Sequence, residues 1–403
     1  MHLRPVASDQ FGRFYRKGSK MNRRALLRGA AIAAAGLSGS GALGNTSLCD
    51  TEEGAWLDAC LNDVRKRHDL AAISAFVVKD GALAAHQAVG VRKYGAEAST
   101  VMMDDPFHLG SCTKAMTATL CAMLVEQNKL NWSTTLADIY PELVGKMQKQ
   151  YATVTIDMLL SQKTGFSDKS WLKGKTVQDM YLLPGDAKSQ RSLYSAAVLC
   201  EEPVNSDTFL YSNRNYILAG SIVEKITGKA WESYIREKLF LPLKMVTAGF
   251  GSMGTPGKID APWQHTMVGK VHIPVEPGPR ADNPPVVGPA GRVHCSAPDW
   301  SRFIVEHLNG AMGKSGLLKP ETYQHLHTPG KGDQYYGGWM VTERPWSKGS
   351  ALVHNGSNTM NYCIVWIAPA RNFAVGVCTN QFGNTEPAAC DEVAVEAIKR
   401  VLA

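Results

Sequence analysis

An eleven-residue run, Ala115–Val125, does most to limit what this chain can fold into. It reads Ala-Met-Thr-Ala-Thr-Leu-Cys-Ala-Met-Leu-Val and holds no charge, no Gly and no Pro. Such a run predicts a helix buried on most of its sides, which demands a large surrounding core. Just before it stands Phe107-His108-Leu109-Gly110-Ser111-Cys112-Thr113-Lys114. Ser111 falls at the helix start, where free N–H groups favour negative charge. Lys114 follows about one turn later on the same face. A hydroxyl needs a base to become a nucleophile, and a desolvated Lys can lose its proton near neutral pH. The plain alternative makes Ser111 a helix cap and Lys114 a surface charge. Ser-x-x-Lys recurs at Ser170–Lys173, so the motif alone does not decide.

The formal charge of +7 suggests a basic protein, but its location removes that meaning. Eight basic residues and one acid precede Cys49, and the remainder holds 35 of each sign. A near-neutral body gives no footprint for nucleic acid. Residues 1–44 read instead as an export signal. Met21-Asn22-Arg23-Arg24-Ala25-Leu26-Leu27-Arg28 leads into an Ala- and Gly-rich run from Gly29 to Leu43, with small residues at Ala42-Leu43-Gly44 for cleavage. The segment resembles a twin-arginine signal. A disordered basic tail is the alternative. Met21 is a candidate start, because Met1–Lys20 shows no pattern. The expectation is an exported protein, periplasmic or extracellular, with no membrane span in its mature chain.

Nine cysteines lie scattered without a Cys-x-x-Cys pair, so a metal site is not expected. In an oxidising compartment Cys60 and Cys390 are a candidate disulfide, each near a terminal helix. Cys112 and Cys121 read as small core residues. His325-Leu326-His327 lacks a carboxylate nearby in sequence and reads as ordinary surface or loop.

Ala55–His68 carries a helical pattern. Ile73–Val78 and Ala82–Val91 flank Lys79-Asp80-Gly81, a strong hairpin signal. Asn131–Pro141 reads as loop, while Thr155–Leu160, Ser192–Cys200, Tyr216–Ile226 and Asp299–Leu308 read as helix. A Pro/Gly-rich stretch runs from Pro274 to Gly291. Strand character returns at Gly337–Thr342, Ala351–His354, Tyr362–Ala368 and Phe373–Thr379, and Asp391–Leu402 closes as a helix. The expected class is α+β: one antiparallel sheet built from both chain ends (45–130 and 299–403), flanked by helices, with a mostly helical insertion at 131–298.

Two further polar groups stand out. Tyr211-Ser212-Asn213 sits at a loop–helix junction, where a Tyr hydroxyl beside a Lys ammonium would have a lowered pKa and share proton transfer. A turn Asn beside a packed Tyr is the plain alternative. His354-Asn355-Gly356-Ser357 ends a strand, where a Gly admits close approach and strand N–H groups can face an oxyanion. The alternative is an Asn-Gly turn.

Ser111–Lys114, Tyr211–Asn213 and His354–Gly356 occur in an order and at a spacing that resemble the penicillin-recognising serine hydrolases: class C β-lactamases, DD-peptidases and related esterases. Phe107–Gly110, Thr155–Gly165, Tyr211–Glu224, Pro289-Ala290-Gly291 and Tyr336–Trp339 fit the same pattern, which covers nearly all of 55–403. The resemblance implies a β-lactamase/transpeptidase-like fold and an acyl-enzyme on Ser111. It implies proton transfer through Lys114 and Tyr211, with Asn213 orienting the Lys and the substrate amide. His354, Asn355, Gly356 and Ser357 become substrate-binding, and the N–H groups of Ser111 and Ser357 the oxyanion hole. No metal or organic cofactor is implied. The partner is a small-molecule or peptide acyl substrate, cleaved at an ester or peptide-type bond. His354 stands where class C β-lactamases carry Lys, which weighs against efficient β-lactam hydrolysis. Arg292 replaces a frequent Gly and is expected at the pocket rim. A true β-lactamase and a non-catalytic binding protein on the same fold are the alternatives.

Overall fold

The computed structural model describes residues 52–168, 171–204, 208–269 and 271–402. Residues 1–44, for which an export signal is expected, and Ser170 lie outside the described residues. A helix α1 (Glu52–Arg67) leads into strands β1 (Ala72–Lys79) and β2 (Ala82–Gly90). Asp80 and Gly81, at φ +51° and +77°, make the two-residue turn that right-twisted strands favour. The chain returns to the same sheet with β3 (Tyr335–Tyr336), β4 (Trp339–Arg344), β5 (Gly349–Ser357), β6 (Tyr362–Ala368) and β7 (Phe373–Thr379). The order is β2-β1-β7-β6-β5-β4-β3, and every pairing is antiparallel. Ile73 opposes Thr379, so the first strand of the sheet pairs directly with its last.

Alternation along the strands divides the core in two. Ala75, Val77, Val375 and Val377 meet Leu57, Leu61 and Val64 of α1 and Cys390, Val393 and Ala397 of the closing helix. On the other face, Phe76 meets Trp300 edge-on at 5.5 Å, with Gly376 leaving the space that the Phe76 ring fills. The buried helix α2 (Thr113–Glu126) is followed by α3 (Ala187–Leu199), α4 (Asn213–Thr227), α5 (Ala297–Ala311), α6 (Pro320–His327) and α7 (Glu386–Leu402). Twelve of the fourteen residues of α2 are buried, as its uncharged run from Ala115 to Val125 requires.

Several expectations change. Residues 131–141 are not only loop: Thr135 caps a helix at Leu136–Ile139 through a capping box with Asp138. The 131–298 segment also carries a hairpin, Gln264–Val268 with Val271–Val275, and the short strands Gly249–Phe250 and Val293–Cys295. α6 begins at Pro320 and places His325 and His327 in its last turn. His327 is no surface residue: its Nε2 lies 2.9 Å from His307 Nδ1, behind α2. α1 and α7 do pack together, but Cys60 and Cys390 remain free thiols. Cys390 points into the sheet core while Cys60 stays at the partly exposed margin of that cluster. Among the described residues, no helix is long and apolar enough to cross a membrane.

Candidate active site

Ser111 lies in a 3-10 turn, Gly110–Cys112, that runs straight into α2. Gly110 is required there twice over. Its φ is +46°, and a side chain would meet Ser357 N at 2.3 Å. The converse holds at the end of β5, where a side chain on Gly356 would meet Leu109 O at 2.0 Å and Ser111 N at 2.8 Å. Two glycines thus let the Ser111 turn and the strand end touch backbone to backbone. Ser357 N lies beside Gly110 and Ser111 N beside Gly356, so both amides line this seam.

The ammonium of Lys114 is fully buried and meets three oxygens: Ser111 Oγ at 2.9 Å, Asn213 Oδ1 at 2.7 Å and Ala290 O at 2.8 Å. None is a carboxylate. Burial pushes the Lys114 pKa down to about 7, although Asp168 and Cys112 pull it up. Once Lys114 loses a proton, its two remaining N–H bonds belong to the carbonyl-type acceptors Asn213 and Ala290. The lone pair is then left facing the Ser111 hydroxyl. Ser111 and Asn213 are half-buried, so the reacting end of this group is within reach of a ligand.

Loop and helix ends fix these parts. Thr117 Oγ1 donates to Pro289 O at 2.7 Å, and Val293 N donates to Thr113 Oγ1 at 3.1 Å. These bonds pin the segment that carries Ala290 along α2. Asp168 caps α4: Asn213 N donates to its carboxylate at 2.8 Å, Asn213 Nδ2 at 2.8 Å and Ser212 Oγ at 2.6 Å. Before Ser111, Gly110 N donates to His108 Nδ1 at 3.0 Å, which leaves Nε2 to carry the proton toward Asp282 Oδ1 at 3.0 Å. Burial would raise the Asp282 carboxyl, but His108, Arg292 and Asn358 outweigh it and hold it below its usual range. Arg292 is turned onto Asp282 at 3.1 Å and is largely buried, so it is not the rim residue expected.

Tyr211 reaches the site, but not in the expected state. Burial pushes its pKa well above the ordinary Tyr value, aided by Tyr335 and only partly offset by a hydrogen bond with Ser111. Lys114 Nζ stands over the ring, 4.9 Å from its centroid, so its charge meets the π-face. Tyr211 therefore keeps its proton, and Lys114 is the group poised to lose one. His354 is 1% exposed. Its Nδ1 lies 2.6 Å from Asn355 O, and its Nε2 3.4 Å from the Tyr335 hydroxyl. Burial and the nearby Lys114 lower its pKa to about 3. It supplies no positive charge at neutral pH. The structure does not bring the Asn355 side chain to Ser111. The strand pleat sends it to the opposite face, where Nδ2 donates to Tyr362 OH at 3.2 Å. Ser357 Oγ accepts from Thr359 N at 2.8 Å, which leaves its backbone amide as the part at the seam. No group of His, Cys, Asp and Glu among the described residues is arranged to hold a metal ion.

Asp168, His108, Asp282 and Ala290 are the parts that sequence reasoning did not assign. His108 and Ala290 carried a usable signal, one in the lead-in to Ser111 and the other in Pro289-Ala290-Gly291. Asp168 is 45 residues from the amide that it holds.

The Beta-lactamase family profile matches residues 57–399. The chain belongs to the beta-lactamase family. Penicillin-binding protein 4 of Amycolatopsis lactamdurans is 27% identical over 341 residues, covering 79% of this chain and 82% of that protein. The putative penicillin-binding protein PbpX of Bacillus subtilis (strain 168) is 24% identical over 291 residues, 72% of this chain and 66% of that protein. Unguisins hydrolase ungD of Aspergillus violaceofuscus (strain CBS 115571) is 32% identical over 162 residues, 37% of this chain and 26% of that protein. The octameric penicillin-binding protein homologue from Pyrococcus abyssi superposes with a TM-score of 0.69 at 18% identity, covering 86% of this chain and 77% of that one. That likeness establishes the fold. Membership of the beta-lactamase family, with hydrolase-named relatives, makes the chain a hydrolase.

Proposed function

We propose that the chain is a serine hydrolase that forms an acyl-enzyme on Ser111 and cleaves an ester or peptide-type acyl bond, as an esterase or a carboxypeptidase-like enzyme. The observation that carries this is the Lys114 amine, buried among neutral oxygens with one of its contacts to Ser111 Oγ. As Ser111 Oγ bonds to the substrate carbonyl carbon, its proton passes to Lys114 Nζ. The carbonyl electron pair moves onto oxygen, toward the Ser111 and Ser357 amides. Collapse expels the leaving group, which takes a proton from Lys114 by way of the protonated Tyr211 hydroxyl. Water then attacks the ester by the reverse path and frees Ser111. Asn213 presents its amide to both Lys114 and the substrate. A neutral, buried His354 gives no fixed cation to a lactam carboxylate, which favours this reading over a beta-lactamase in the strict sense.

A fluorophosphonate probe followed by peptide mapping tests the assignment. Label is expected on Ser111, and label elsewhere, or none on folded protein, refutes it. Nitrocefin separates the rival: turnover near the diffusion range would make the chain a true beta-lactamase. We also propose that the paired arginines of 23–24 direct export. Recovery of uncleaved chain from the cytoplasm of an expressing bacterium would contradict that.

A further inference from the structure

We propose that Asp168 is the positioning carboxylate of this site. Through Asn213, it sets the direction in which Lys114 offers its lone pair to Ser111. This rests on the Ser111–Lys114 reading above and adds a residue to it.

The argument starts from an amide that can be turned either way. Asn213 presents Oδ1 to Lys114 at 2.7 Å and Nδ2 to Asp168 Oδ2 at 2.8 Å. An ionised carboxylate only accepts, so it fixes Nδ2 on its own side and Oδ1 on the lysine side. Its other contacts hold it still: Asn213 N at 2.8 and 3.1 Å to the two oxygens, and Ser212 Oγ at 2.6 Å. All come from the two residues that open α4. Without the carboxylate, a turned amide would point Nδ2–H at Lys114. The neutral amine would then accept that bond with the lone pair that Ser111 needs. Asp168 stands behind the nucleophile–base–orienter series of Ser111, Lys114 and Asn213, one side chain removed from the base.

The charge of Asp168 gives a readout that a merely structural cap would not move. It raises the Lys114 pKa against burial. Removing the charge lowers Lys114 further, so the acid limb of the reaction shifts to lower pH. The other groups facing Lys114 are Cys112, His354, Tyr211 and Tyr216. On the far side, Asp168 faces Arg214, itself held by Glu201 at 2.7 Å, and Tyr194.

The test uses the full chain and the second-order rate of fluorophosphonate labelling at Ser111 from pH 5 to 9, with a thermal melt of each variant. Asp168→Asn should lower the plateau rate at least about tenfold. It should also move the acid limb down by about half a pH unit or more. Ser212→Ala, which removes a donor from the same cap, should lower the melting temperature and leave the limb in place. An unmoved limb in Asp168→Asn, or an equal rate loss in Ser212→Ala, overturns the proposal. If Asp168→Asn does not fold, Asp168→Glu keeps the charge and shifts the carboxylate. Its limb should stay while its plateau falls, and an undiminished plateau overturns the proposal equally. Wild type that fails to label at Ser111 would remove the hydrolase reading itself. Labelled wild type with the wrong variant behaviour removes only Asp168.

Discussion

Lys114 and Arg191 are both cations with fully buried side chains, and they have opposite fates. Arg191, on α3, donates to Glu224 at 2.6 Å and to Glu232 at 2.5 Å, and reaches Pro285 O at 3.1 Å. Burial acts to lower its pKa, but the two carboxylates overcome it and drive the value above the ordinary Arg range. Lys114 has the same burial but meets three oxygens, all of them neutral, and its pKa falls to about 7. Burial alone therefore does not make a base. The partners decide: carboxylates lock a cation in place, while hydroxyl, amide and carbonyl oxygens hold an amine without holding its charge.

Removing each cation should break the comparison in a different observable. Lys114→Met should cut the Ser111 labelling rate at least about a thousandfold, because the hydroxyl loses its base. The protein should stay folded by circular dichroism, and retained labelling would end the assignment. Arg191→Met leaves Glu224 and Glu232 facing each other without a cation. It should cost about 3–5 kcal/mol in denaturant unfolding while the acid limb of any residual activity stays put. A loss below about 1 kcal/mol would mean that the triad does not hold the helices.

Neutral burial extends beyond Lys114. Burial lowers His265 and His294 to about 4 and His327 and His354 to about 3. These folded-state values lie below the unfolded His value, so the unfolded chain binds protons first. Stability is full above about pH 6.5 and falls as the pH drops, by on the order of 1 kcal/mol per residue per pH unit. Melts at pH 7.5 and 5.5 should differ by many degrees, and a flat profile would contradict the burial of these rings. The smallest effect concerns rate. Wild-type labelling should fall about tenfold per pH unit below about 7, as Lys114 gains its proton. A limb below pH 5 would show that another group is the base.

The parts legible in the sequence were those set by local spacing. Ser111 and Lys114 share a helix face because they are three residues apart, and the uncharged run after them fixed the helix. The Asp80-Gly81 turn and the last two strands of the sheet were legible because turn chemistry and apolar runs are also local. What escaped depended on distant partners. Asp168 has no motif, and its meaning comes from Asn213 across a fold. Tyr211 is a case where burial, which local spacing does not report, outweighs the proximity of Lys114 and raises the pKa. Asn355 is different, since strand parity alone places it opposite His354. The Gln264–Val275 hairpin was likewise readable: Val271–Val275 alternates, and Gly269-Lys270 marks a turn before it. The proline- and glycine-rich stretch beside it drew the reading toward loop.

The pairing of β1 with β7 reaches beyond the finished molecule. Lys79 lies opposite Phe373, and Ile73 opposite Thr379. On a ribosome, the first hairpin emerges with a hydrophobic edge whose neighbour is still about three hundred residues from being made. Such long-range closure is slow and leaves sticky edges uncovered meanwhile. Any truncation that removes β7 and α7 should yield not a smaller enzyme but an aggregate.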